Sequence, residues 1–158
     1  MLQFITKPLF IYIFRCLIGF LIGYRLMLLL PQFELFWGLL SIILVISPEE
    51  KDSKKLSIDR VKSNFIGSVV GLFCVSIPVD QNVFLIMLGI IITSIICHLF
   101  NVMNMARVAI VALLIILLQK HISDGAITPV IRFLTVAVGC LIGLFITVTT
   151  SYLFEKIK

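Results

Sequence analysis

The sequence alternates long apolar segments with short polar ones, and all five prolines fall at the boundaries between them. Because proline has no amide hydrogen, helices tolerate it best at their ends, so these boundaries predict where helices begin and end. A charged loop, Glu49 to Asp59, separates the second segment from the third. The six predicted helices are Pro8 to Leu30, Phe33 to Ser47, Arg60 to Pro78, Val83 to Phe100, Met105 to Gln119 and about Pro129 to Phe154.

The third predicted helix has a counterpart in the sixth, at an offset of 72 residues. The matched residues are Arg60 with Arg132, Gly67 with Gly139, and Gly71 with Gly143. On a helix with about 100° per residue, the arginine and the two glycines of each copy lie on one stripe. The offset relates helices one to three to helices four to six. Because three spans end on the opposite side of the membrane, the second half enters the membrane from the other side. We therefore predict two inverted three-helix repeats, about residues 8–78 and 83–154.

The composition assigns this pattern to a membrane. Hydrophobic residues make up 61% of the 158 residues, charged residues 13%, and the mean hydropathy is +1.20. A spanning helix takes roughly 20 apolar residues, so the chain has room for about six spans and no separate soluble domain. The predicted fold is an all-α integral membrane domain over residues 1–158. The net charge of +5 is spread over loops and does not indicate nucleic-acid binding.

The distribution of lysine and arginine predicts the orientation of the chain. With a cytoplasmic N-terminus, nine of these cations lie on the cytoplasmic side, against Arg25, Lys120 and Arg132 on the other side. The positive-inside rule then places both termini in the cytoplasm. We expect a multi-pass protein of the inner (plasma) membrane.

No group of residues in the sequence has the spacing of a catalytic or metal site. The four cysteines lie within apolar segments, and no histidine stands at ligand spacing from them, which is typical of small buried side chains. We expect no enzyme activity, no metal and no cofactor.

Segments two and five are short, at about 15 residues each, and they occupy corresponding positions in the two halves. Such a segment extends about 22 Å as a helix, less than a hydrocarbon core of roughly 30 Å. Paired short segments in two repeats are typical of a central binding site. The alternative is that charged flanking residues snorkel, or that the helices continue into their loops.

Small residues one helical turn apart allow two helices to approach closely. Six glycines have this spacing in pairs: Gly19, Gly23, Gly67, Gly71, Gly139 and Gly143. They predict helix-packing faces. The functional alternative is that two glycine-lined faces, one from each repeat, together form a narrow path.

Five residues are candidates for binding an anion: Arg15, Arg60, Asn64, Arg132 and Thr135. Arg15 lies about seven residues inside the first apolar segment, where an arginine costs roughly 2.5 to 3.5 kcal/mol unless it is paired or hydrated. It either snorkels to the headgroups or faces a polar cavity. In the second case no acidic residue lies at a similar depth, which indicates an anionic ligand. For Asn64 and Thr135 the alternatives are helix capping and hydrogen bonds between helices.

This arrangement resembles the membrane module of the fusaric acid resistance and aromatic acid exporter group. The resemblance rests on the 3+3 layout and on the arginine and two glycines repeated in the third and sixth helices. Where the family typically has Gly-Thr one turn after the arginine, this chain has Ser63 and Asn64. The resemblance implies efflux of organic, often aromatic, anions.

We therefore expect a transporter or channel-like exporter of small organic anions that works in the lipid bilayer as a homodimer. The alternative is a non-transporting membrane scaffold or a subunit of a larger efflux assembly, with other efflux subunits as partners. A membrane-embedded enzyme or a lipid-handling protein is a third class, and the sequence contains no catalytic group to support it.

Overall fold

The computed structural model describes residues 7–31, 35–77, 83–118 and 127–156, and this part of the chain is helical without strands. Its α-helices are α1 (Lys7–Leu29), α2 (Phe36–Val45), α3 (Glu50–Ser76), α4 (Val83–Leu99), α5 (Ala106–Leu118) and α6 (Ile127–Lys156). A short 3-10 helix, Met103–Met105, precedes α5. The prediction of an all-α chain with six helices is confirmed for these residues.

The start of α3 corrects one of the predicted boundaries. The segment Glu49 to Asp59, predicted as a charged loop, is helical from Glu50 onwards. Glu50 and Asp52 lie in the first turn, where the helix dipole stabilises acidic side chains. Lys54 forms an ion pair with Glu50 one turn before it. A run of charges that looks like a loop in the sequence is the polar first third of a 27-residue helix.

Two helices in the described ranges are long and apolar enough to cross a membrane, over Leu9–Leu29 and Pro129–Leu153. The apolar helices Phe36–Val45, Val83–Leu99 and Met103–Leu118 are shorter. With 10 residues, α2 extends about 15 Å. The structure supports a helical membrane protein, while six full spans and the inverted repeat stay predictions.

The contacts divide the chain into two units. Unit 1 comprises Met1–Ile58 and Thr135–Lys158, and it contains α1, α2, the start of α3 and most of α6. Here α1 packs against α2. The two helices run in opposite directions, because Gly19 lies at Ile46 and Gly23 lies at Leu39. Buried Ile42, Ile46 and Ile146 form the core of the unit.

Unit 2 comprises Asp59–Leu134, with the rest of α3, then α4, α5 and the first part of α6. Its core consists of Ile66, Val70, Cys97, Val102, Ala106, Ala109, Leu113 and Leu117. A tight turn joins α4 to the 3-10 helix. In this turn Asn101 adopts a φ of 55°, a conformation that asparagine tolerates, and the Val102 amide donates to the Cys97 carbonyl over 2.9 Å.

Candidate functional site

In unit 1, Arg15 of α1 is almost entirely enclosed by protein, with 2% of its surface exposed. Its Nε donates to Thr150 Oγ1 over 2.7 Å, and its Nη2 donates to Ser151 Oγ over 2.8 Å. Its Nη1 donates to the backbone carbonyls of Ser47, at 2.7 Å, and Pro48, at 3.0 Å. The guanidinium thus connects α1 to the end of α2 and to α6.

All four acceptors of Arg15 are neutral oxygens, and no carboxylate in the described part of the chain forms an ion pair with it. An arginine has five N–H donors, so these bonds leave one of them. Hydrogen bonds to a charged group contribute about 1.5 to 3 kcal/mol each, which is enough to offset the cost of burial. Arg15 therefore links helices within unit 1, a role that differs from both snorkelling and facing a cavity.

The polar groups beside Arg15 continue as a chain of hydroxyls that the sequence analysis missed. Ser53 Oγ accepts from the Ser47 amide over 2.9 Å and donates to Thr147 Oγ1 over 3.3 Å. Thr147 Oγ1 donates to the Gly143 carbonyl over 3.0 Å. Ser53 and Ser57 stand one helical turn apart, a spacing that would place both hydroxyls on one helix face. Because the segment Glu49 to Asp59 is predicted as a loop, the sequence did not indicate this polar face.

In unit 2, two polar side chains of α3 are buried without a hydrogen bond. Asn64 is 3% exposed and Ser68 is 6% exposed. Neither Asn64 Nδ2 nor Ser68 Oγ has a partner among the described residues. They stand four residues apart, which places them on one face of α3. Buried polar groups normally have partners, and an unsatisfied one costs about 1 to 3 kcal/mol, so these two donors need an explanation.

A groove lies beside Ser68. It has a volume of about 170 Å³ and is lined by Phe65, Ser68, Val69 and Leu72 of α3 with Pro129, Val130 and Phe133 of α6. The rings of Phe65 and Phe133 meet edge to face, with their centroids 5.3 Å apart. Asn64 and Arg132 are the chain neighbours of these two rings, so they lie at the same level of unit 2, although neither of them lines the groove. We call this groove with Asn64 and Arg132 the α3–α6 site.

The predicted anion-binding residues fall into both units. Arg15 and Thr135 belong to unit 1, whereas Arg60, Asn64 and Arg132 belong to unit 2. Arg132 is 4% exposed and Thr135 is 7% exposed. Arg60 is half-buried, and its backbone carbonyl accepts a hydrogen bond from Ser63 Oγ over 3.1 Å. Within unit 2 the structure brings Asn64 and Arg132 to one level, and within unit 1 it surrounds Arg15 with acceptors.

The glycines at matched positions of α3 and α6 make matched contacts. A Cβ atom on Gly67 would overlap the Ala109 carbonyl oxygen of α5 in unit 2. A Cβ atom on Gly139 would overlap the Gly38 carbonyl oxygen of α2 in unit 1. Each of these glycines therefore allows its helix to touch the backbone of a short helix from the other half of the sequence.

The remaining glycines of the set also lie at helix contacts. A Cβ atom on Gly143 would lie 2.8 Å from the Ile42 carbonyl oxygen, and one on Gly71 would lie 3.0 Å from Ile116 Cδ1. In α1, Cβ atoms on Gly19 and Gly23 would lie 2.7 Å from the nearest Ile46 atom and 3.1 Å from the nearest Leu39 atom. The six glycines therefore lie where their helices meet neighbouring helices, and their role in packing stays a prediction.

Comparison with known families adds to this geometry. The model of a family described as fusaric acid resistance protein-like matches residues 17–146. The chain belongs to this family. Membership supports a membrane protein with a transport-related function. Neither the curated proteins nor the solved structures contain a match.

The part that matches the fusaric acid resistance protein-like family contains the α3–α6 site and all six packing glycines. Arg15 precedes the matched range, and its partners Thr150 and Ser151 follow it. The family assignment and the α3–α6 site therefore concern the same stretch of chain.

Proposed function

We propose that this protein exports small organic anions, aromatic ones among them, across the inner membrane. The family supports the transport-related part of this proposal, and the substrate class follows from the chemistry of the α3–α6 site. The single observation that carries it is the pair of buried, unpartnered donors Asn64 Nδ2 and Ser68 Oγ. Donors without acceptors inside a membrane protein suit a ligand that brings oxygen acceptors, as a carboxylate does.

The other groups of the site fit the same substrate. Arg132 is buried at the level of Asn64 and provides positive charge, which opposes the cost of taking an anion out of water. The edge-to-face pair of Phe65 and Phe133 lines the adjacent groove, and aromatic rings pack well against such pairs. The site thus combines hydrogen-bond donors, a cation and an aromatic wall. Arg60 stands at the start of the same stripe of α3 and is a second candidate cation.

We assign the remaining candidates different roles. Arg15 holds α1 against α2 and α6, since its bonds go to protein oxygens. Thr135 belongs to a packing face, because its backbone carbonyl oxygen lies 3.1 Å from where a Cβ on Gly38 would be. In this proposal the substrate is recognised in unit 2, and the chain is not an enzyme.

We also propose that the chain forms six spans as two inverted repeats, with both termini in the cytoplasm. The matched contacts of Gly67 and Gly139 support this: in each unit the third helix of one half packs on the second helix of the other half. Both pairs also run in the same direction, since Gly71 follows Gly67 along α5 and Gly143 follows Gly139 along α2. A pseudo-twofold relation between the halves would produce this exchange.

A homodimer is part of the proposal. The two short helices, α2 with 10 residues and α5 with 13, do not match a full bilayer by themselves. A second copy would bury short elements, and closed symmetric dimers are the commonest oligomers.

The test uses purified protein in vesicles that contain benzoate, with efflux of benzoate as the measurement. Replacing Asn64 by Ala removes one unpartnered donor, and we expect efflux to fall about ten-fold, the effect of losing roughly 1.4 kcal/mol of binding to a charged ligand. Ser68→Ala should reduce efflux in the same direction. Ser76→Ala is the matched control on α3, because the Ser76 hydroxyl already donates to the Leu72 carbonyl.

Normal efflux in both Asn64→Ala and Ser68→Ala would show that the α3–α6 site does not bind the transported anion. Arg15→Lys should then be examined as the next candidate, because it keeps the charge and loses the planar donor fork. If the native protein moves no anion, a second function takes over: a membrane scaffold or a subunit of a larger efflux assembly. That function predicts co-purification of the chain with other efflux subunits.

A further inference from the structure

A second groove in unit 2 lies on the other side of Phe65. It has a volume of about 300 Å³ and is lined by Lys62, Phe65, Ile66, Val69 and Val70 of α3 with Ile96 and Phe100 from α4 and the turn after it. We call it the Lys62 groove. Apart from Lys62, all its lining residues are hydrocarbon side chains. A water molecule needs two to four polar partners to stay in a cavity, so this groove suits an apolar occupant.

Lys62 provides a charge at one edge of this apolar surface. The residue is exposed, and it forms no ion pair or hydrogen bond with any residue that the structure describes. A lysine with an apolar stem and a free ammonium group can cover hydrocarbon and still reach an anionic headgroup. The groove and the lysine together match a molecule with a long apolar part and an anionic end.

Further positive charge lies at the same end of unit 2. The contacts of Gly67 with Ala109 and of Gly71 with Ile116 show that α3 and α5 run in the same direction. The first turn of α5, with exposed Arg107, is therefore at the end of the unit where Lys62 lies. Each cation near an anionic leaflet adds to the attraction for lipid headgroups, so Arg107 reinforces the charge of Lys62.

We propose that the Lys62 groove binds an anionic phospholipid, with the phosphate at Lys62 and one acyl chain along Phe65, Val69 and Ile96. A second copy of the chain fits less well. In the described part of unit 2, Asp59 is the only acidic residue, against Arg60, Lys62, Arg107 and Arg132. A second unit 2 would mainly bring like charge to the groove, whereas an anionic leaflet brings opposite charge. The Lys62 groove shares Phe65 and Val69 with the α3–α6 site, but its charged group is Lys62 and its other wall is Ile96. The lipid proposal does not depend on transport.

The test measures lipid binding to the full chain in detergent, by native mass spectrometry with dioleoylphosphatidylglycerol or dioleoylphosphatidylcholine as the added lipid. We expect phosphatidylglycerol to bind more tightly than phosphatidylcholine, and the difference in affinity to decrease as the salt concentration rises. Lys62→Gln should weaken binding of phosphatidylglycerol about five-fold, the effect of one lysine near an anionic surface, and leave phosphatidylcholine unchanged. Lys55→Gln is the control, because Lys55 is also exposed on α3 but does not line the groove.

A second variant tests the apolar part. Ile96→Phe adds bulk at the α4 wall, and we expect it to reduce binding of the phosphatidylglycerol acyl chain while the salt dependence persists. Equal affinity for the two lipids, or no effect of Lys62→Gln, would overturn the proposal even if Ile96→Phe failed to fold. Displacement of the lipid by benzoate or by inorganic phosphate at millimolar concentration would also overturn it, because the groove would then hold small anions. Binding is measured without flux, so failure of anion export leaves this result unaffected.

Discussion

The role of a buried polar side chain in this protein depends on its neighbours more than on its depth. Arg15 and Asn64 are both buried, at 2% and 3% exposure. Arg15 has four hydrogen bonds to protein oxygens, whereas Asn64 Nδ2 has no partner in the described ranges. Because an unpaired buried donor is costly and a paired one is not, we assign ligand binding to the second residue and helix linkage to the first.

The first prediction follows from the bonds of Arg15. Arg15→Ala should lower the free energy of unfolding by roughly 3 kcal/mol, because Thr150 and the carbonyls of Ser47 and Pro48 lose a charged donor. The measurement is unfolding of the detergent-solubilised protein by a denaturing detergent. Arg25→Ala on the same helix is the control, since Arg25 is exposed. Equal stability of the two variants would show that the bonds of Arg15 contribute nothing to folding.

Glycine positions decide how the helices of each unit meet. Gly67 and Gly139 stand where a single methyl group would overlap a backbone oxygen, which cannot move as a side chain can. Gly89 of α4 is different, because its nearest neighbour is Leu113 Cδ2, 3.2 Å from the position of an added Cβ. An added methyl group is therefore tolerated less well at Gly67 and Gly139 than at Gly89.

We predict that Gly67→Ala and Gly139→Ala each reduce stability by at least 1 kcal/mol, because the paired helices must separate. Gly89→Ala should cost less, since the Leu113 side chain can adjust. Thermal midpoints of the three purified variants provide the comparison. If Gly67→Ala and Gly139→Ala differed widely from each other, the matched contacts would not reflect an equivalence of the two halves.

At the level of the whole chain, orientation follows from charge. With both termini in the cytoplasm, nine lysine and arginine residues lie on the cytoplasmic side and three lie on the external side. We predict that tags at residues 1 and 158 are cytoplasmic and that a cysteine introduced at Ser123 is labelled from outside; these positions lie outside the described residues. Labelling of intact cells with a membrane-impermeant reagent is the measurement. Termini on opposite faces would exclude six spans and the inverted repeat together.

The sequence alone was sufficient for the helices, the membrane class and the family, because apolar length, proline positions and the repeated arginine–glycine motif can be read without a tertiary structure. It was wrong about the start of α3, since a charged segment is compatible with a loop and with a solvated helix turn. The partners of the polar residues required the tertiary structure. Arg15 and Thr150 are 135 residues apart, and no local pattern indicates that their atoms lie 2.7 Å from each other. Likewise, only the packing shows that Asn64 Nδ2 and Ser68 Oγ are buried without a hydrogen-bond partner. Whether a buried donor has a partner depends on which acceptors the neighbouring helices place beside it.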